Sequence, residues 1–143
     1  MASDLARLNR LRRIERVRAV SKEMKLAEAA QAESTLSQLE TLATRTRAMA
    51  DGYARRADPE NALQLSRILT FSHSLQAISD KVSADVVAAK AYADRMGQDV
   101  AAAERRRATA QDRANQQQAA MSRSAAARDL DIIGRRGIGT KFE

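Results

Sequence analysis

The sequence has few of the residue types from which compact cores and catalytic sites are built. Its 143 residues include no cysteine, no tryptophan, four other aromatic residues, one proline and one histidine. The absence of cysteine excludes disulfides and thiolate metal sites, and the single His73 argues against a histidine-based metal or acid–base site. Because aromatic side chains usually dominate core packing energy, their scarcity argues against a compact globular domain.

Large aliphatic side chains are also scarce, although 44% of the residues are classed as hydrophobic. Alanine accounts for 30 of those 63 residues, whereas Leu, Ile, Val and Phe together supply 26. With a net charge of +7, this deficit by itself favours disorder. However, Ala, Glu, Lys, Leu and Arg make up 75 residues of the chain, which is typical of long helices and coiled coils.

No long apolar run is present either. No segment approaches the roughly 20 apolar residues that a membrane-spanning helix needs. The first 20 residues contain six arginines, so they lack the uninterrupted apolar stretch of a secretory signal peptide. We therefore expect an intracellular protein, located in the cytoplasm.

The single proline divides the chain into two predicted helices. Gly52 is expected to end the first helix in the left-handed conformation, Asp58 to cap the second, and Pro59 to occupy its first turn. The predicted boundaries are a first helix over about 4–51, a turn over about 52–58, a second helix over about 59–133 and a flexible C-terminal tail over 134–143. Because two helices joined by a short turn pack antiparallel, we predict an all-α fold, a single long two-helix antiparallel coiled-coil hairpin.

The second predicted helix carries residues at alternating three- and four-residue spacings, which is the pattern of a coiled-coil seam. This seam comprises Ile68, Phe71, Leu75, Ile78, Val82, Val86, Ala89, Ala93, Met96, Val100, Ala103, Arg107, Ala110, Ala114, Gln117 and Met121. Two successive four-residue steps, from Ile78 to Val82 and on to Val86, predict a local stutter. The first helix carries a shorter seam of Leu39, Leu42, Thr46, Met49 and Tyr53. Since the large residues gather beside the turn, the firmest packing is expected there.

The unequal lengths of the two predicted helices also leave the C-terminal end of the second helix unpaired. Folding about residue 55 would place position 4 opposite roughly position 106. The chain from Arg107 onward would then have no intramolecular partner.

Positive charge gathers at both ends of the chain. The net charge is +4 over residues 1–50, −1 over 51–100 and +4 over 101–143. An antiparallel hairpin brings the two basic ends together, so the arginines at 105–107 are expected near Arg7 and Arg10. Such a repulsive arrangement favours an acidic partner.

Large apolar residues recur every three positions in the first helix without a four-residue step. They are Leu5, Leu8, Leu11, Ile14, Val17 and Val20. At about 3.6 residues per turn, this spacing winds the six side chains around every side of the helix. One partner helix cannot cover them all, so either some of these side chains are exposed to solvent or another protein surrounds this end. We expect the second, because the chain has few large apolar residues.

Three segments resemble a known family. They are Leu8-Asn9-Arg10-Leu11-Arg12-Arg13-Ile14-Glu15, Ala32-Glu33-Ser34-Thr35-Leu36-Ser37-Gln38-Leu39 and Phe71-Ser72-His73-Ser74-Leu75-Gln76-Ala77-Ile78. In these segments, and in length and layout, the chain resembles the flagellar export protein FliJ family. The resemblance implies a coiled-coil hairpin similar to the central stalk of rotary ATPases. One end would sit in the pore of a hexameric export ATPase, and the other would reach a membrane export gate.

The resemblance also implies functional residues and partners. Phe71 and Leu75 look like the pair that the family uses toward the gate, and the ATPase contact is expected through Leu8, Arg10, Leu11 and Arg13. The expected function is a non-enzymatic stalk or coupling component of flagellar type III protein export, peripheral at the inner face of the cell membrane. Export chaperones are a further class of expected partner, and no catalytic residue, cofactor or metal is predicted.

Two other functions remain open at this stage. A pI near 10.5 favours a basic helical nucleic-acid binder, although interspersed acidic residues and the lack of stacking aromatics weaken that interpretation. A generic coiled-coil adaptor or membrane-surface helix is the third hypothesis.

Overall fold

The computed structural model of the chain describes residues 1–55 and 62–138, which form two long α-helices. Helix α1 spans Ala2–Arg55 and helix α2 spans Ala62–Ile138. Arg12 of α1 contacts Gln118 of α2, whereas Lys22, later in α1, contacts Glu104, earlier in α2. The helices therefore run antiparallel, and the predicted all-α helical hairpin is confirmed.

The helix ends differ from the predicted boundaries. Gly52 lies inside α1, which continues to Arg55, and none of the described glycines has a positive φ. Gly134 likewise lies inside α2, which continues past the predicted end at residue 133 to Ile138. One helical glycine costs only about 1 kcal/mol relative to alanine, which is too little to stop a long helix. Asp58 and Pro59, the predicted cap and first-turn residue, lie outside the described residues.

Contacts along the helix pair divide the chain into two units, which we describe separately. Unit 1 combines Met1–Met24 with the described part of Ala101–Glu143, and unit 2 is Lys25–Val100. In each unit a stretch of α1 packs against a stretch of α2.

The covered side of α2 in unit 2 follows a strict alternation of three- and four-residue steps. The positions on this alternation are Ile68, Ser72, Leu75, Ser79, Val82, Val86, Ala89, Ala93, Met96 and Val100, and Ser83, beside Val82, is half-buried as well. Ser79 is 5% exposed, whereas the neighbouring Ile78 is 51% exposed. The predicted stutter is therefore wrong, because the regular heptad geometry places two serines, rather than Phe71 and Ile78, toward α1.

The covered side of α1 in unit 2 shows the same regularity. Leu39 and Thr46 are covered as predicted, whereas Leu42, Met49 and Tyr53 are exposed. The covered positions are Lys25, Ala29, Ala32, Leu36, Leu39, Ala43, Thr46 and Ala50. Alanine at four of these eight positions allows the two helices to approach closely, since interhelical distance depends on the side chains at the contact.

In unit 1, α2 remains covered well beyond Arg107. Covered positions continue through Ala110, Ala114 and Gln117 to Met121, and residues 122–137 are all exposed. Asp4 lies beside Gln117, not beside Arg106. The predicted unpaired end therefore begins too early. Arg12 pairs with Gln118 and Lys22 with Glu104, so each α1 residue meets α2 farther toward the C-terminus than folding about residue 55 would place it.

The least exposed side chains are alanines. Ala114 in unit 1 is 0% exposed and Ala93 in unit 2 is 2% exposed. In contrast, Leu63, Leu65 and Leu69, close to the start of α2, are all exposed. The large apolar side chains that are buried among the described residues, Leu75 and Val82, each 7% exposed, lie in the part of α2 nearer the turn, as expected, but the first turns of α2 are not covered.

Candidate functional site

Unit 1 contains an ionic cluster on its covered side, centred on Glu104. Arg107 donates two hydrogen bonds to this carboxylate, from Nη2 to Oε1 at 2.7 Å and from Nε to Oε2 at 2.8 Å. Lys22 of α1 forms an ion pair with the same group, with Nζ 2.9 Å from Oε2. Arg107 also donates a hydrogen bond to Oε1 of Gln111 at 3.0 Å. The positive charge of Arg107 at a covered position is thus balanced within the chain, and Lys22 links the two helices.

The same contacts shift the pKa of Glu104. Hydrogen bonds from Arg107, and then from Lys22, lower its pKa from 4.5 to about 2. A carboxylate that accepts bidentate hydrogen bonds from a guanidinium is favoured in its charged form. The cluster is therefore fully charged near neutral pH and acts as a structural link between the helices.

The residues expected to contact an ATPase do not lie on one surface. Leu8 and Leu11 are half-buried at positions that face α2. Arg10 and Arg13 are exposed on the other side of α1. At about 3.6 residues per turn the two leucines and the two arginines lie on different faces of the helix. A single partner surface on the outside of α1 would therefore meet the arginines but not the leucines.

Exposed residues form a continuous stripe along α1, on the side that faces away from α2. The stripe contains Arg10, Arg13, Val17, Val20 and Met24, at alternating three- and four-residue spacings. The last three side chains are between 60% and 67% exposed. We call these five residues the outer stripe. Their exposure confirms the prediction that one partner helix does not cover the apolar residues that wind around this segment.

A second surface of unit 1 is a groove between α1 and α2, open to solvent, with a volume of about 420 Å³. Its lining includes Leu11, Ile14 and Arg18 of α1 and Arg105, Arg106 and Arg113 of α2. We call these six residues the arginine groove. Leu11 is half-buried and contributes to the floor, whereas all four arginines are exposed. The groove therefore combines an apolar floor with a cationic rim.

The four guanidinium groups of the arginine groove have no acidic partner within residues 1–55 and 62–138. None of them forms an ion pair or a side-chain hydrogen bond with another described residue. Two nearby carboxylates are engaged elsewhere, Glu15 by Arg12 at 3.0 Å and Glu104 by Lys22 and Arg107. Asp112, next to Arg113 in sequence, forms no ion pair within the described residues and does not line the groove. The groove is thus an uncompensated cluster of positive charge.

This arrangement corrects the predicted meeting of the basic ends. The sequence placed Arg105 and Arg106 near Arg7 and Arg10, but in the structure they share a groove with Arg18. The reason is the same shift of pairing toward the C-terminus that covers α2 beyond Arg107. Arginines of the two helices do lie close together as predicted, but they are not the predicted set of arginines.

Phe71 and Leu75, the pair expected to contact an export gate, differ in their access to solvent. Leu75 is 7% exposed and packs toward α1, so it belongs to the core of unit 2. Phe71 is 43% exposed, and its ring meets that of Tyr53 edge-on with centroids 4.6 Å apart. Only Phe71 of this pair offers a surface to another protein.

The described residues contain no side-chain cluster typical of metal binding. Within 1–55 and 62–138, no group of three or more His, Cys, Asp or Glu side chains could hold a metal ion. His73 is exposed. Neither helix, over its described length, includes a segment long and apolar enough to cross a bilayer.

The outer stripe could have been found from the sequence, because it repeats at helical spacing within one segment. The arginine groove could not, because its two walls come from segments about 90 residues apart whose register the sequence left uncertain. No known protein-family model, curated protein sequence or solved structure matches this chain.

Proposed function

We propose that this chain is a non-enzymatic coupling component of a flagellar type III protein export apparatus, linking a hexameric export ATPase to a membrane export gate. The resemblance of three segments to the FliJ family suggests this function, and the helical hairpin is compatible with it. The observation that carries the proposal is the outer stripe. A helix already packed on one side still presents two arginines and three large apolar residues on the other.

Exposed apolar side chains flanked by arginines are typical of protein interaction sites, since arginine is enriched at interfaces and lysine depleted. Unit 1 carries 16 basic and 8 acidic residues, a net charge of +8, whereas unit 2 has a net charge of −1. Electrostatic attraction therefore favours an acidic partner at unit 1. Under this proposal the outer stripe contacts the ATPase ring and Phe71 contacts the gate, while export chaperones remain further candidate partners.

The ATPase contact can be tested by charge reversal on the outer stripe. Arg10→Glu combined with Arg13→Glu should weaken co-purification with the hexameric export ATPase by at least about tenfold, because both charges become repulsive toward an acidic ring surface. Arg45→Glu combined with Arg47→Glu is the matched control, with the same charge change at two exposed positions of α1 in unit 2. Equal binding by both variants, with helicity retained in circular dichroism, would contradict the assigned contact.

The gate contact should be tested at Phe71 alone, because Leu75→Ala would also damage the core of unit 2. Phe71→Ala should reduce binding to the purified cytoplasmic domain of the gate, since a half-exposed aromatic ring is a typical interface anchor. Leu69→Ala, at a 51% exposed position nearby on α2, is the control. Unchanged gate binding by Phe71→Ala would remove this residue from the proposal.

A second candidate function is nucleic-acid binding, favoured by the four unpaired arginines and the net charge of unit 1. Nucleic-acid affinity that rests on phosphate contacts falls steeply with added salt. Among the described residues, however, unit 1 contains no aromatic side chain on which bases could stack. Titration with short duplex DNA and single-stranded RNA at low and moderate salt decides the matter, and absence of binding at low salt excludes this function.

A further inference from the structure

We propose that the arginine groove of unit 1 binds an acidic amphipathic helix of a partner protein. The groove lies between the two helices of unit 1, on a different side of α1 from the outer stripe. The inference therefore rests on the groove alone and does not depend on the proposed export function.

The shape of the groove suits a third helix. Its α1 wall presents Leu11, Ile14 and Arg18 at successive three- and four-residue steps, and α2 presents Arg106 and Arg113 seven residues apart. Seven residues of helix rise about 10.5 Å, or two turns. A helix lying between two others meets side chains at this repeat, and its apolar residues at three- and four-residue spacings would cover the exposed part of Ile14.

The charge of the groove specifies the flanks of that helix. Arg18 and Arg105, on opposite walls, have no carboxylate partner within the described residues, and no acidic side chain lines the groove. Four like charges around one groove repel each other, and Glu15 and Glu104, the carboxylates closest in sequence to Arg18 and Arg105, are held by other basic residues. Glutamates or aspartates on both sides of an apolar stripe would neutralise the rim while the stripe covers the floor.

The apolar floor of the groove favours an acidic protein helix over a nucleic acid or an anionic membrane surface. Leu11 and Ile14 offer nothing to phosphate groups, and the described lining contains no aromatic side chain for base stacking. A concave channel between two helices also fits a narrow helical ligand better than the broad surface of a bilayer. A partner with both apolar and acidic groups uses the whole groove.

The test uses a fluorescent synthetic peptide of about 21 residues, three heptads, with leucines at three- and four-residue spacings and glutamates beside them. Fluorescence anisotropy with the full chain should show binding that weakens with added salt. The groove variant replaces Arg18, Arg105, Arg106 and Arg113 with glutamine, and the matched control replaces Arg16, Arg45, Arg47 and Arg123, four exposed arginines outside both the groove and the outer stripe. The groove variant should lose about tenfold or more in affinity, since each exposed charge pair contributes a few tenths of a kcal/mol, and the control about twofold or less.

A second pair of variants separates an amphipathic helix from a simple polyanion. Ile14→Gln should weaken peptide binding several-fold, because it makes the floor polar, whereas Leu130→Gln, at a 70% exposed position of α2 outside both surfaces, should not. A peptide with the same glutamates but alanines in place of the leucines should bind much more weakly.

Several results would overturn the proposal. They are no peptide binding at low salt, equal losses in the groove and control variants, or insensitivity to Ile14→Gln. Groove-dependent binding of short duplex DNA or of phosphatidylserine vesicles that exceeds peptide binding would assign the groove to a different ligand and would also refute the proposal. Failure to bind the export ATPase leaves the peptide result unaffected, so the two proposals fail separately.

Discussion

Replacing Leu75 and Ile78 separately by alanine tests which residues form the core of unit 2. The hydrophobic pattern alone makes the two changes equivalent, but Leu75 is 7% exposed and Ile78 is 51% exposed. Full burial of such a side chain contributes about 1.5–3 kcal/mol, and a leucine-to-alanine change at a core position costs about 2–5 kcal/mol. A single facing helix can close partly around the gap, so we expect Leu75→Ala to cost about 2–3 kcal/mol.

The cost of Ile78→Ala should be much smaller. About half of the isoleucine surface is already in contact with water, and alanine has the higher helix propensity by a few tenths of a kcal/mol. The expected net cost is about 0.5 kcal/mol, about 2 kcal/mol less than at Leu75. Urea unfolding followed by circular dichroism at 222 nm measures both changes, and amide hydrogen exchange assigns them to unit 2. Equal losses in the free energy of unfolding, or a larger loss for Ile78→Ala, would refute the regular seam through Ser79 and support the predicted stutter at Ile78.

Three further changes probe other parts of the molecule. Gly97→Ala should raise stability by about 0.5–1 kcal/mol in urea unfolding, because this helical glycine has no neighbour within 4 Å of an added Cβ; a loss of stability would contradict the open surface at this site. Ala114→Leu should lower stability by about 1–3 kcal/mol through overpacking, whereas Ala119→Leu at an exposed position should not; a gain at Ala114 would show that unit 1 is loosely packed. The depressed pKa of Glu104 stabilises the fold above its unfolded value of 4.5, and this contribution disappears as the pH falls toward 2. Between pH 7 and pH 3 the thermal midpoint should therefore fall further in the wild type than in Glu104→Gln, and equal falls would show that the cluster does not stabilise the fold.

The candidate surfaces differ in how far the sequence could predict them. Arg10 and Arg13 were selected from the sequence and are exposed on the outer stripe, because their positions on α1 follow from helix periodicity alone. Leu75 was selected with Phe71 but is buried, because its exposure depends on the face that α2 turns toward α1. The arginine groove requires the register between the helices, which the predicted turn position placed too early.

Composition and periodicity determined that this protein is a pair of long antiparallel helices. A chain rich in alanine, arginine and leucine, with one proline, has no other way to bury its few apolar side chains. The tertiary structure decided which residues meet. Residues such as Ser79 and Ile78 are neighbours on the same helix, and the regular steps of helix packing, rather than hydrophobicity, place the serine in the interface. The facing helix also decided the register, and with it the positions at which positive charges are neutralised within the chain and those at which they remain open to a partner.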